Sequence, residues 1–329
     1  MKINYFFRNP KNGYSIHRVF RTLIEELEKS VKIVINEVPC EGSLPISVIK
    51  NNIFTYKKRE KQTINHVTGH IHDVLLALIG TKTILTVHDL VFLDNVRNPF
   101  KRFYKWLFWL YLPIKIADKV VCISNQTKQN ILSKIKSDKL IVIHNAVDPI
   151  FKFSEKPFNQ EKPIILHIGT GWNKNLDKTI QALEGIKCHL RIIGKLKDSQ
   201  LDFLKDYNIE YSNQFDLTDE DIRDEYLNCD IVNFPSIYEG FGMPVIEGQK
   251  TGRIVVTSKI EPLIEVAAEG ASFVIPDDIS SIREAYLKII NDELYRTNLI
   301  EKGLQNAKRF SVENISKQYI ELYQNLAQK

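Results

Sequence analysis

Cysteine is scarce in this chain of 329 residues. The four present, Cys40, Cys122, Cys188 and Cys229, are scattered and form no Cys-x-x-Cys pair. This excludes a paired-thiol motif. Cys122, Cys188 and Cys229 lie in or beside apolar runs and read as buried free thiols of a reducing cytosol. Long apolar runs are also missing: none approaches the ~18 residues of a spanning helix. The opening MKINYFFRNP lacks the apolar core of a secretion signal. No repeat of solenoid length and no low-complexity tract occurs. An excess of one charge sign is nearly absent, since 45 basic against 40 acidic side chains leave +5. That excess is too small and dispersed to argue for nucleic acid, but it suits an acidic ligand or an anionic membrane surface.

What is present is alternation. Short β-branched and aromatic runs (Ile3–Phe7, Val31–Val38, Ile64–Val67, Thr83–Val87, Val120–Ile123, Leu140–Ile143) are separated by segments of helical period such as Tyr14–Lys29. Ser124 is placed to cap a helix over Asn125–Ile135. A polar, proline-bearing stretch, Ser154–Pro163, reads as a linker. The pattern then restarts with strands Ile164–Ile168, Leu190–Ile193 and Ile209–Tyr211, and helices Leu176–Leu183, Ser199–Asp206 and Asp219–Leu227. Alternating strand and helix means parallel sheets covered on both faces. The length suits two domains of about 150 residues each. The expectation is an α/β chain of two Rossmann-like domains, their parallel sheets facing across a cleft. The first covers 1–153, 154–163 is the linker, and the second covers 164–310. A terminal helix, 311–329, packs back on the first domain.

The most informative stretch is Phe234–Gly248, FPSIYEGFGMPVIEG. An apolar run stops at Pro235, a glycine loop follows, Pro244 opens a helix that closes at Gly252, and a second apolar run comes next. Proline suits a first helical turn, where its missing N–H has no intrahelical partner. The loop aims the amides of Phe241, Gly242 and Met243 at whatever lies before the helix, which is an anion site suited to phosphate. Glu239 and Glu247 bracket it. Carboxylates do not bind phosphate, so they face hydroxyls on either side, and a phosphate between two polyols describes a nucleotide sugar.

This stretch resembles the Glu-x7-Glu signature of retaining glycosyltransferases with the GT-B fold, glycosyltransferase family 4, in its filled form from Glu239 to Glu247. The resemblance implies a nucleoside-diphosphate sugar donor, with no metal and no cofactor. Glu239 and the Phe241–Met243 amides then hold sugar and diphosphate, Glu247 takes the ribose hydroxyls, and Lys174 neutralises the leaving diphosphate. Lys174 stands in Gly169-Thr-Gly-Trp-Asn-Lys174-Asn175, where family members pair an Arg with a Lys on the diphosphate. Here Thr170 follows Gly169 and no Arg is present. Lys195, after the neighbouring strand, is the candidate replacement. His88, at the end of Thr83–Val87, matches a family histidine near the donor sugar, while Asp89 reads as structural. Gly13 matches a family glycine that faces donor and acceptor.

His66, His70, His72 and Asp73 form a polar cluster. Its spacing matches no compact metal site, and His66 and His70 read as acceptor contacts or strand ends. Arg97–Lys115 mixes basic and aromatic residues and reads equally as a helix lying on an anionic membrane or as a core-facing helix. The reading is a hexosyl transfer, mannose among the candidates, to a glycan or lipid-linked acceptor of a cell-surface polysaccharide, by a cytoplasmic protein with peripheral membrane contact. A catalytically silent nucleotide-sugar-binding subunit is the alternative. A nicotinamide dehydrogenase requires a phosphate fingerprint that neither glycine loop supplies.

Overall fold

The alternation resolves into two parallel six-stranded sheets in a computed structural model that describes residues 1–9, 15–42 and 44–328. The chain divides into two units, Met1–Ala146 with Val312–Lys329, and Val147–Ser311. The first sheet contains β1 (Lys2–Phe7), β2 (Lys32–Glu37), β3 (Ile64–Val67), β4 (Thr83–Val87), β5 (Lys119–Cys122) and β6 (Leu140–Val142), in the order β2-β1-β3-β4-β5-β6. Its helices are α1 (Ser15–Leu27), α2 (Pro45–Lys58), α3 (Val91–Asp94), α4 (Pro99–Lys105), α5 (Leu112–Ile116) and α6 (Asn125–Leu132). Thr127 N–H donates to Ser124 Oγ at 3.1 Å, so the serine caps α6 as its position predicts.

Two layers of side chains sandwich this sheet. On one face Phe20, Leu23 and Leu27 of α1 pack with Ile315, Tyr319 and Leu326 of the terminal helix, Val312–Ala327. On the other, Val74, Leu75 and Leu78 pack with Leu110, Ile114 and Ile131. Each such side chain contributes about 1.5–3 kcal/mol by leaving water. A buried polar chain crosses the first layer. Tyr5 and Tyr323 share a hydrogen bond at 2.5 Å, Tyr323 meets His66 Nδ1 at 2.8 Å, and His66 Nε2 meets Thr86 Oγ1 at 2.8 Å. Burial holds His66 neutral, its pKa pushed down to about 3.

The segment Arg97–Lys115 faces the core only in its second half. α4 buries nothing, whereas the π-helical turn Trp106–Tyr111 buries Trp109 and Leu110, and α5 buries Pro113 and Ile114.

The second unit holds β7 (Ile164–Ile168), β8 (His189–Ile193), β9 (Tyr211–Gln214), β10 (Ile231–Phe234), β11 (Ile254–Ser258) and β12 (Ser272–Val274), in the order β12-β11-β10-β7-β8-β9. Its helices are α7 (Leu176–Leu183), α8 (Asp198–Asp206), α9 (Asp219–Asn228), α10 (Met243–Lys250), α11 (Leu263–Ala267), α12 (Ile279–Asn291) and α13 (Glu293–Ala307). The chain winds outward from β7 to β9, then returns to the middle and winds the other way from β10 to β12. β7 and β10 therefore flank the switch point, where the loops at their carboxyl ends part and leave a crevice.

Two sequence expectations shift here. The strand expected over Ile209–Tyr211 lies at Tyr211–Gln214. Asn208 takes a left-handed φ of 48° and Ile209 N–H returns to Leu204 O at 2.9 Å, so Ile209 finishes α8 rather than starting the strand. The stretch 154–163 carries no helix or strand, yet it is fastened to the second unit. Arg253 donates to Ser154 O at 2.9 Å, and Lys156 pairs with Asp230, which also accepts from Ile164 N–H at 2.8 Å.

Candidate active site at the switch point of the second sheet

The loops leaving β7 and β10 are tied into one surface. After β7, Gly169 adopts φ +92°, and a Cβ there would lie 2.9 Å from Lys174 Cγ. Glycine is required because the lysine stem crosses its backbone. A short 310 turn, Trp172–Lys174, ends at Asn175 in the left-handed region, φ 63°, which asparagine tolerates better than most residues. Asn175 Nδ2 donates to Pro235 O at 3.1 Å and to Pro276 O at 2.7 Å, while Thr179 Oγ1 donates to Asn175 O at 3.1 Å. One side chain thus fastens the start of α7 to the loop after β10 and to the segment after β12.

The loop after β10 answers with its own contacts. Ile237 N–H donates to Asn173 O at 2.9 Å, and Asn173 Nδ2 donates to Tyr238 O at 3.0 Å. Lys174 Nζ lies 2.6 Å from Glu239 Oε1, which also accepts from Asn173 Nδ2 at 3.2 Å. The ammonium sits 4.5 Å from the centre of the Phe234 ring, whose face favours a cation. Beneath the loop, burial first and the Lys174 charge second push His167 down to about 3. His167 therefore adds no charge of its own.

Gly242 then opens α10. Its φ is +108°, and a Cβ would meet Leu263 Cδ2 at 2.5 Å, so only glycine allows the approach. Pro244 stands in the first turn as predicted, and the earliest hydrogen bond is Val245 N–H to Gly242 O at 3.0 Å. The positive end of α10 lies at Gly242–Met243. Phe241 is buried edge-on against Phe310, ring centres 5.8 Å apart, which anchors the loop. One turn into α10, Glu247 is buried and accepts from the Tyr226 hydroxyl at 2.6 Å. Tyr226 is itself fully buried on α9 and packs edge-on against Phe151 at 5.1 Å.

Thr170 and Lys195 meet on the rim. Ile168 pairs with Ile193 in register, so the residues that follow run side by side, and Thr170 Oγ1 donates to Lys195 O at 2.7 Å. The Lys195 side chain is exposed.

The histidine candidates belong to the first unit. His88 is buried, donates through Nε2 to Thr68 O at 2.8 Å, and is kept neutral by burial first and by His70 second, at about 3. Its Nδ1 is then the unprotonated nitrogen. Gly69 clears room for it, since a Cβ there would lie 2.6 Å from His88 Cδ2. Asp89 accepts from Val91 N–H at 3.0 Å and shapes the next turn. His70 stacks on His88, ring centres 6.0 Å apart, and remains partly exposed, with Nε2 3.6 Å from Asp89 Oδ2.

The acceptor contact expected of His66 does not fit its position: it is sealed in the core with both ring nitrogens occupied. His72 is also buried, bonded through Nδ1 to Trp109 O at 2.8 Å, and is held neutral by burial at about 4. Asp73, pushed up to about 6 by burial, faces Asn52 at 3.4 Å. Among the described residues no three His, Cys, Asp or Glu side chains converge on a metal-sized site. Gly13 lies outside the described residues.

Sequence reasoning missed Asn173, Asn175 and Tyr226. The asparagines had a readable signal, an Asn-Lys-Asn run entering a helix. Tyr226 had none, because it reaches Glu247 from another helix.

Comparison with known proteins agrees with this arrangement. The family model for glycosyl transferases group 1 matches residues 150–306, and that for glycosyltransferase family 4 matches residues 13–151. An uncharacterized glycosyltransferase of Methanocaldococcus jannaschii is 27% identical over 217 residues, covering 64% of this chain and 60% of that protein. The serotype-specific mannosyltransferase WbdA of Escherichia coli is 26% identical over 300 residues, covering 80% of this chain but 36% of WbdA. The chain thus spans less than two thirds of the length of either relative. Among solved structures, Anabaena HepE in complex with UDP and glucose superposes with a TM-score of 0.76 over 99% of this chain and 100% of that one, at 14% identity, a likeness of fold alone. Two family models that between them run from residue 13 to residue 306, meeting at the start of the second unit, together with the Glu239–Glu247 signature seated at a sheet switch point, place this chain among the GT-B glycosyltransferases of family 4.

Proposed function

We propose that this chain is a retaining, metal-independent hexosyltransferase that moves a sugar from a nucleoside diphosphate to a glycan or lipid-linked acceptor in polysaccharide synthesis. The observation that carries the reading is the Lys174–Glu239 pair, 2.6 Å apart, beside the positive end of α10 and on the same helix approach as buried Glu247. A lysine and a helix N-terminus together offer a diphosphate what a divalent ion would otherwise supply. Glu239 sits where a sugar hydroxyl on the far side of that phosphate would lie, and Glu247, oriented by Tyr226, faces the ribose. In the first unit, His88, with its unprotonated Nδ1, and His70, beside it and partly exposed, are the proposed substrate contacts. The mannosyltransferase name of WbdA and the UDP and glucose of the HepE complex agree with a nucleotide-linked hexose.

In the reaction the C1–O bond to the diphosphate breaks while the acceptor oxygen bonds C1 on the same face. The acceptor proton passes to the departing phosphate oxygen, so no side chain acts as general base. Lys174 offsets the charge that develops on that oxygen. The test is release of nucleoside diphosphate from candidate hexose donors in EDTA, with the anomeric form of the product read by NMR. Turnover in chelator, with the donor's anomeric configuration kept in the product, is expected. Loss in chelator that Mg²⁺ or Mn²⁺ restores overturns metal independence. Binding without turnover of any donor and acceptor tried favours the silent subunit.

Glu247 gives a separate signature. If its carboxylate holds ribose, its contribution is mostly uniform binding, so Glu247→Ala raises donor KM more than it lowers kcat and weakens the free nucleoside diphosphate as well. Unchanged nucleotide affinity by calorimetry would instead assign Glu247 to the Tyr226 hydrogen bond alone.

A further inference from the structure

α2 is inside out. It buries Asn51 and Thr55 while Ile46 is 63% exposed and Ile49, Ile53 and Tyr56 are each more than half exposed. The spacing of three, four and three residues sets these four on one stripe. The buried polar face has its own use: Asn51 accepts from Cys40 N–H at 2.9 Å and donates to Cys40 O at 3.1 Å, a local clamp. Solvent, by contrast, gives the isoleucine stripe no partner. The chain from 42 to 59 contains Lys50, Lys57, Lys58 and Arg59 and no acidic residue, and the three lysines are exposed.

A second patch repeats this chemistry. On α4, Phe100 is 85% exposed and Phe103 is 61% exposed, beside exposed Lys101 and Arg102. From 95 to 117 there is again no acid. Both patches belong to the same layer of the first unit, since Phe54 of α2 and Trp106 just after α4 pack into the core on one face of the sheet.

We propose that α2 and α4 are a two-point footprint by which the first unit lies on an anionic bilayer, isoleucines and phenylalanines entering the headgroup boundary and the lysines and arginines meeting lipid phosphate or carboxylate. An apolar stripe flanked by cations, on helices too short to span, is the pattern of an interfacial element. A second copy of the chain is the weaker occupant. Symmetric pairing of α2 stripes would set Lys50 and Lys57 of one copy against the lysines of the other with no acid on the helix to compensate. The footprint does not depend on the donor chemistry, so its test stands apart from any transferase assay.

The test is co-sedimentation of the full chain with vesicles of phosphatidylcholine alone or with 30% phosphatidylglycerol, the wild type set beside Ile49→Asn/Ile53→Asn and Phe100→Ser/Phe103→Ser. All four side chains are exposed, so thermal melting should match wild type. The expected result is sedimentation with the anionic vesicles, weakened by added salt, and at least tenfold weaker partitioning for each double variant. Three results overturn the proposal: no sedimentation with anionic vesicles, equal sedimentation of the variants, or a solution dimer that Ile49→Asn/Ile53→Asn dissociates.

Discussion

Glu239→Gln is expected to lower turnover by about 10²–10³-fold at saturating donor, the ~2.7–4 kcal/mol typical of removing one oriented electrostatic group from a reacting centre. The same change should leave nucleoside-diphosphate affinity intact or tighter. Glu239 holds the Lys174 ammonium at 2.6 Å. A bound diphosphate competes for that cation, and a glutamine competes less. Kinetics with calorimetry on one preparation separate the two effects. Turnover within twofold of wild type would remove Glu239 from the sugar site. A parallel loss of nucleotide affinity would mean that Glu239 builds the phosphate site rather than facing the sugar.

Lys174→Ala should have the opposite balance. It removes a charge-assisted contact worth about 1.5–3 kcal/mol and leaves Glu239 as an uncompensated anion facing the phosphates, so donor binding and turnover both collapse. Combining it with Glu239→Gln should recover part of the nucleotide affinity, because the repulsion then disappears. Such non-additivity is what a shared ligand produces. Lys195→Ala should weaken donor binding less, and non-additively with Lys174→Ala if both cations meet one diphosphate. If Lys195→Ala leaves affinity unchanged, Lys174 and the α10 amides hold the phosphates alone.

The parts of this molecule written in local pattern were the parts readable from sequence. The parallel strands other than β9, the cap at Ser124 and the glycine turn into α10 depend on neighbours a few residues apart, and they lie where the spacing puts them. The pairing of Lys174 with Glu239 was not legible, since 65 residues separate them and only the β7–β10 neighbourhood joins their loops. Residue type misled at His66. A histidine at a strand end reads as a ligand, but the C-terminal helix supplies a tyrosine that turns it into a core hydrogen-bonding group. α2 was unreadable for the opposite reason. Its apolar residues do keep helical spacing, yet they face out, so no rule that sends isoleucine inward finds its orientation.

The order in which this chain is made now matters. The second unit is one continuous run, complete once Ser311 has left the ribosome. The first unit begins earlier and ends later: Tyr5 waits for a hydroxyl 318 residues downstream, and His66 for the same tyrosine 257 residues on. Until Val312–Ala327 emerges, the face carried by Phe20, Leu23 and Leu27 has no cover. Domains made in sequence ordinarily fold from the N-terminus forward. Here the unit that starts first is sealed last, and a nascent chain carries an open apolar surface through most of its translation.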